Sequence, residues 1–146
     1  MPTLSKFLVA IDFSEHSERA LAFAKDLATS LGASIHLVHV YPLAAYVAPP
    51  MTPAPVLVGQ FREQSEQAFR EYLTRVRKEQ GVAFEGTLAE GVPHEEIVKV
   101  AKALGADLIV MGTHGRSGFE HLLLGSVAER VIRVAGIPVL TVPKPA

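Results

Sequence analysis

Cysteine is absent from the 146 residues, which removes disulfides, thiolate nucleophiles and cysteine-based zinc or iron–sulfur centres. Clustered basic charge is absent too: 14 Lys and Arg stand against 15 Asp and Glu, for a formal net charge of −1. Nucleic-acid binding, which needs cations to displace counterions, therefore has no support. No apolar run approaches the roughly 20 residues of a membrane-spanning helix. The opening MPTLSKFLVAID holds an apolar core too short for a secretory signal, so residence in the cytoplasm is the expectation.

What is present suits a folded chain. Apolar residues make up 49% and charged ones only 20%, enough apolar side chain for a core and too little charge for disorder. The length fits one domain over residues 1–146, with no internal repeat.

Strand-like apolar runs alternate with helical spacing. Lys6–Asp12 reads as a strand, and Ser14 caps a helix in which Leu21, Ala24, Leu27, Ala28 and Leu31 point inward before Gly32 stops it. Ser34–Val40 is a second strand. Tyr41–Pro55 carries prolines at 42, 49, 50, 53 and 55 and reads as a loop. A long amphipathic helix over Val56–Gln80 follows, with Phe61, Ala68, Phe69, Tyr72, Leu73 and Val76 on one face. Val82–Ala89 is a third strand, and Pro93 opens a helix that Gly105 ends. Leu108–Met111 is a buried strand, VAERVIRVAG a short helix, and Pro138–Val142 the last strand.

Five strands alternating with four helices imply an α/β fold, an open twisted parallel sheet with helices on both faces. In such sheets ligands bind where strand order reverses, beyond the carboxyl ends of the strands. If the first and fourth strands are neighbours there, Asp12 faces the segment that follows Gly112 across one crevice.

That segment, GTHGRSGFEHLLLGS from Gly112 to Ser126, is the richest in chemistry. Four glycines and three hydroxyl residues between a strand and a helix expose backbone N–H groups ahead of a positive helix terminus, where phosphates bind. It is not a P-loop, since it holds no lysine, and a Rossmann fingerprint would follow the first strand at another spacing. Gly115-Arg116-Ser117-Gly118 is not a nucleophile elbow, because Phe119 stands where a glycine is needed. Ile11-Asp12-Phe13-Ser14 lacks the glycines of an ATP pyrophosphatase loop. The spacing present is G-x2-G-x9-G-S: Gly112, Gly115, Gly125 and Ser126.

That pattern resembles the nucleotide-binding branch of the universal stress protein family. LVAIDFSEHSERAL, IHLVHVYP, GADLIVMGTHGRSG and GSVAERVIRVAGIPVLTVP resemble the family's signature blocks and span nearly the whole chain. The proline-rich segment and the helix after it have no distinctive match. The resemblance implies a five-stranded sheet of order 3-2-1-4-5 that binds ATP, or else ADP or AMP, with magnesium or manganese carried by the phosphates. It also implies a homodimer formed through the edge strand at residues 138–143. Carried over by position, Asp12 contacts ribose or the adenine edge and Val40 flanks the base. Gly112 and Gly115 let the backbone approach ribose and phosphates, and Gly125, Ser126 and Val127 cradle the phosphates. Read from the residues alone, Arg116 is the one cation of the segment and can neutralise a phosphate, and Thr113, His114 and Ser117 can supply further donors. The implied role is that of a nucleotide-responsive regulator rather than an efficient enzyme.

Plainer readings stand beside these. Asp12 can simply cap the first helix, and Ser126 with Glu129 forms an S-x-x-E capping box. His36 and His39 lie three apart on a strand and face opposite sides, so they cannot share a metal. His114 and His121 are seven apart with no second carboxylate nearby in sequence. Asp12 and His114 are the available bases for a slow ATP hydrolase. A dimerisation module with an empty pocket is the remaining alternative.

Overall fold

The computed structural model describes residues 3–43, 54–115 and 124–145. Arg116, Ser117 and His121, and residues 44–53 of the proline-rich segment, lie outside them. In chain order the elements are β1 (Lys6–Ala10), α1 (Glu15–Leu31), β2 (Ser34–Tyr41), α2 (Ala54–Gln80), β3 (Glu85–Glu90), α3 (Pro93–Leu104), β4 (Leu108–Gly112), α4 (Ser126–Val134) and β5 (Val139–Val142).

The sheet runs β3-β2-β1-β4-β5 with every neighbouring pair parallel, the expected order. Central strands must bury both faces, which is why they read as unbroken apolar runs. Phe7, Leu8 and Val9 of β1 are fully buried, as is β4 from end to end. On one face Phe7, Val9, Leu37 and Val110 pack with Leu21 and Ala24 of α1 and Phe69, Tyr72 and Val76 of α2. On the other, Leu8, Val38, Ile109 and Met111 pack with Ile97 of α3 and Val131 of α4. Each such large side chain contributes about 1.5–3 kcal/mol by leaving water.

Helix ends follow local chemistry. Ser14 caps α1, its hydroxyl accepting from the Ser17 N–H at 3.3 Å, and Gly32 closes the helix at φ +68°. Leu31, expected inward, is half exposed because the last turn of α1 runs past the core. Pro93 occupies the first turn of α3, where its missing N–H costs nothing.

Several boundaries differ from expectation: β1, expected to reach Asp12, ends at Ala10, β3 ends at Glu90 rather than Ala89, and β5 begins at Val139 rather than Pro138. The loop expected over residues 41–55 is shorter at both ends. Tyr41 still pairs with Glu90 in the sheet, and α2 already begins at Ala54, with Pro55 tolerated in its first turn. The third strand begins at Glu85 rather than Val82, because Phe84 turns inward beneath α2. Its side chain is 1% exposed, and its carbonyl accepts from Arg77 Nε and Nη2 at 2.8 and 2.6 Å. The apolar character of Val82 and Phe84 serves packing around the end of α2, not pairing.

Candidate functional site

After β1 the chain enters α1 on one face of the sheet; after β4 it runs toward α4 on the other. The carboxyl ends of β1 and β4 therefore part at the reversal of strand order, the place such sheets use for ligands. A cavity of about 680 Å³ opens there, a volume within the range of small-molecule sites.

Asp12 stands just beyond β1. Its Oδ1 accepts from the Ser14 backbone N–H at 3.0 Å and from the Ser14 hydroxyl, which in turn caps α1. Asp12 is therefore not itself the cap of α1; one of its oxygens orients Ser14, which is. The other oxygen, Oδ2, lies only 2.6 Å from where a Cβ on Gly115 would sit. Asp12 does face the segment after β4.

The described glycines of that segment, Gly112, Gly115 and Gly125, serve close approach, and none of the three takes up a left-handed φ. A Cβ on Gly112 would meet His16 Cβ at 2.9 Å and the His16 backbone at 3.0 Å, because the first turn of α1 rests on β4 at that point. A Cβ on Gly125 would meet the Thr113 carbonyl oxygen at 3.0 Å and His114 Cα at 3.2 Å. The Gly125 N–H donates to that same carbonyl at 2.6 Å and pins the two ends of the segment together. The sequence reading assigned Gly112 and Gly115 to a ligand's approach. The structure gives each a prior use, in which the protein comes close to itself.

Ser126 is the first residue of α4, with Gly125 as N-cap and no side-chain cap bond. The expected capping box does not form, because Glu129 sits one position too far along. It pairs instead with Arg133 at 2.8 Å. The first-turn N–H groups of α4 lack intrahelical partners by geometry, and Gly125, Ser126, Val127 and Ala128 border the cavity. The positive end of α4 thus meets the same space as Asp12.

The remaining expected residues join them. Val40, Thr113 and His114 border this cavity; Arg116 lies outside the described residues. Toward β1 and β2 the lining is apolar, with Ala10, Val38, Val40 and Ile97, while Asp12, Thr113, His114 and Ser126 make the other end polar. Thr113 Oγ1 and His114 Nδ1 are 3.0 Å apart, and the His114 ring lies 5.6 Å from that of His16. His16 Nδ1 faces Arg19 Nη2 at 3.1 Å; a guanidinium only donates, so this nitrogen accepts.

Two features at this site went unread in the sequence. Phe13 adopts φ +66°, a left-handed backbone that costs a non-glycine residue about 1–2 kcal/mol. Its ring centroid lies 4.2 Å from that of His39 and 5.2 Å from that of Tyr72, tilted against both. His39 is buried and donates from Nδ1 to the Ile11 carbonyl at 2.7 Å. The other feature is a set of α2 residues, Phe61, Gln64, Ser65 and Ala68, along the cavity. No short motif announces either, since both depend on how α2 lies over β2.

His36 lies on the opposite face from His39, as expected, 2.7 Å from the Thr87 hydroxyl. Burial, aided by Lys6 and opposed by Glu85, holds its imidazole below the ordinary histidine value. No cluster of three metal-ligating side chains occurs among the described residues. A second hollow, of about 580 Å³, lies at the strand-start end around Lys25, Gly32 and Glu85. It has no glycine segment and no helix N-terminus from α4. No helix among the described residues is long and apolar enough to cross a membrane.

A parallel α/β sheet with a ligand-sized cavity at its reversal of strand order defines a broad class of binding proteins. Within that class, residues 3–143 match the model of the universal stress protein family, and the chain belongs to that family. The universal stress protein MJ0531 of Methanocaldococcus jannaschii is 37% identical over 140 residues, covering 96% of this chain and 82% of that protein. Among solved structures, that of the protein MJ0577 superposes with a TM-score of 0.83 at 31% identity, over 99% of both chains. A universal stress protein from Archaeoglobus fulgidus, solved in complex with dAMP, superposes with a TM-score of 0.61 at 29% identity, over 96% of this chain and 98% of that one.

Proposed function

We propose that this protein binds an adenine nucleotide, ATP or else ADP or AMP, and acts as a nucleotide-responsive regulator rather than as an enzyme. One observation carries the reading: a carboxylate, a glycine-lined turn and a helix N-terminus converge on one cavity whose far end is apolar. Phosphates fit the polar end, where their oxygens accept from the first-turn N–H groups of α4 at Ser126 and Val127, the positive end of the helix dipole. Asp12 Oδ2 accepts from ribose hydroxyls, Val40 flanks the base, and Thr113 and the backbone from Gly112 to Gly115 border ribose and phosphates. Arg116, the one Lys or Arg in the 112–126 sequence, neutralises phosphate charge. Magnesium or manganese accompanies the phosphates, as the resemblance to the family implies. The dAMP complex of the A. fulgidus relative supports an adenine ligand.

Calorimetric titration of ATP into the unsubstituted protein and Ser126→Asp tests this. An acidic residue in the first turn favours the helix dipole, so the fold persists, while the added charge repels phosphate. The expected outcome is a loss of affinity on the order of tenfold with no fall in melting temperature. Equal affinity in the two proteins would move the phosphates away from α4.

The protein also works, on this reading, as a homodimer through β5. Among the described residues that strand pairs with β4 alone and is half-buried along its length, while Ile132 and Val134 of the neighbouring α4 are 47% and 52% exposed. An edge of this kind invites pairing with a second copy. Light scattering should report a dimer that Leu140→Lys converts to monomer; a monomeric unsubstituted protein would refute it.

A further inference from the structure

Helix α2 is too long for the sheet it covers. Its 27 residues span about 40 Å, whereas the strands beneath have at most eight residues and reach about 27 Å. Its later turns supply the core contacts, through Phe69, Tyr72 and Val76. The earlier turns project past the carboxyl end of β2, and there Phe61, Gln64, Ser65 and Ala68, at i, i+3, i+4 and i+7, place one helical stripe along the cavity.

The overhang is tethered. Glu90, at the end of β3, has Oε2 3.9 Å from Arg62 Nη2, and the same oxygen accepts from the Tyr41 hydroxyl at 3.4 Å. One carboxylate thus joins α2, β2 and β3 beside Tyr41, which lines the cavity. Two other polar side chains of the lining are committed, His39 Nδ1 to the Ile11 carbonyl and Tyr41 to Glu90, and Ser65 has a shorter reach than Gln64.

We propose that Gln64 is the residue that selects adenine over guanine, reading the base edge from the α2 overhang while Phe61 covers the ring. The proposal rests on the reading that the nucleotide occupies this cavity. A glutamine amide offers one donor and one acceptor side by side, the complement of the adenine N6 amino group and N7. Along that edge guanine presents two acceptors, O6 and N7, so no rotation of the amide satisfies both. Arg62 and Glu90 are positioning residues that hold the stripe over the base.

Titrations of ATP, GTP and tripolyphosphate into the unsubstituted protein, Gln64→Leu and Gln67→Leu separate the possibilities. Leucine keeps size and helix propensity, and Gln64 is exposed at the cavity mouth, so circular dichroism should not change. ATP affinity in Gln64→Leu should fall roughly three- to tenfold, with GTP and tripolyphosphate unchanged, so that the preference for ATP over GTP collapses. Gln67→Leu, an exposed change outside the stripe that removes only a bond to Glu71, should leave all three affinities intact. An unaltered ATP-to-GTP ratio in Gln64→Leu, or an equal loss for tripolyphosphate, would overturn this inference while leaving nucleotide binding standing. Failure of the unsubstituted protein to bind ATP at all would overturn both.

Discussion

Two sets of glycines occupy opposite ends of the sheet and do opposite things. Gly32, Gly81, Gly105 and Gly136, at the end where helices hand over to strands, have φ between +66° and +68°, and a Cβ on any of them would meet nothing within 4 Å. They are present for backbone conformation. Gly112, Gly115 and Gly125, at the end where strands hand over to helices, have no left-handed φ, yet a Cβ on each would lie within 3.0 Å of another atom. They are present for space. The first set ends helices and makes the fold; the second lets α1, Asp12 and the segment after β4 close on one another and makes the cavity.

Substitutions should separate the two sets, beginning with the largest effect. In Gly112→Ala the new methyl meets the backbone of His16, which cannot swing aside, so thermal or urea unfolding should report a loss of about 1–3 kcal/mol. Little change would show that α1 can ride up freely. In Gly115→Ala the methyl meets only Asp12 Oδ2, the tip of a side chain. Stability should hardly move, while ATP affinity falls several-fold as the carboxylate is displaced. Full affinity there would remove Asp12 from the nucleotide site. Gly105→Ala should cost about 1 kcal/mol through backbone conformation alone. Gly105→Asn should recover part of that, and both should keep full ATP affinity.

The smallest effect concerns the end away from the cavity. Asp107 accepts from the Ser5 N–H, the Ser5 hydroxyl and the Lys6 N–H, each at 2.9 Å, and ties the start of β1 to the turn before β4. Those bonds, the Ser5 N–H first, hold its carboxyl below the usual carboxylate range. A carboxyl held low contributes stability above its unfolded value, near 4, that is lost as pH falls through the folded one. Asp107→Asn should therefore flatten the acid side of the stability curve below about pH 4 and leave ATP binding alone.

The sequence disclosed most where one residue's local chemistry decides the outcome. Leu108–Met111 could only be a buried strand, Ser14 was legible as a cap, and the helix stops at Gly32 and Gly105 followed from glycine alone. It misled where a residue type has two uses. Val82 and Phe84 are as apolar as strand residues but serve the underside of α2. Ser126 and Glu129 have capping-box spacing, yet Gly125 takes the cap and shifts both by one position. The grouping of Asp12 with the 112–126 segment followed from element order and the resemblance, and the cavity bears out that proximity. The left-handed Phe13, the buried His39 and the α2 overhang depend on how distant elements lie across one another, which no local pattern encodes.

The central claim is that phosphates meet the N-terminus of α4 while the base lies beside β1 and β2. Backbone amide shifts followed by NMR during an ATP titration test it most directly. Gly115, Gly125, Ser126 and Val127 should move together with Asp12 and Val40, while Gly32, Ala33 and Glu85 around the opposite hollow stay fixed. Shifts confined to Gly32, Ala33 and Glu85 would contradict the account.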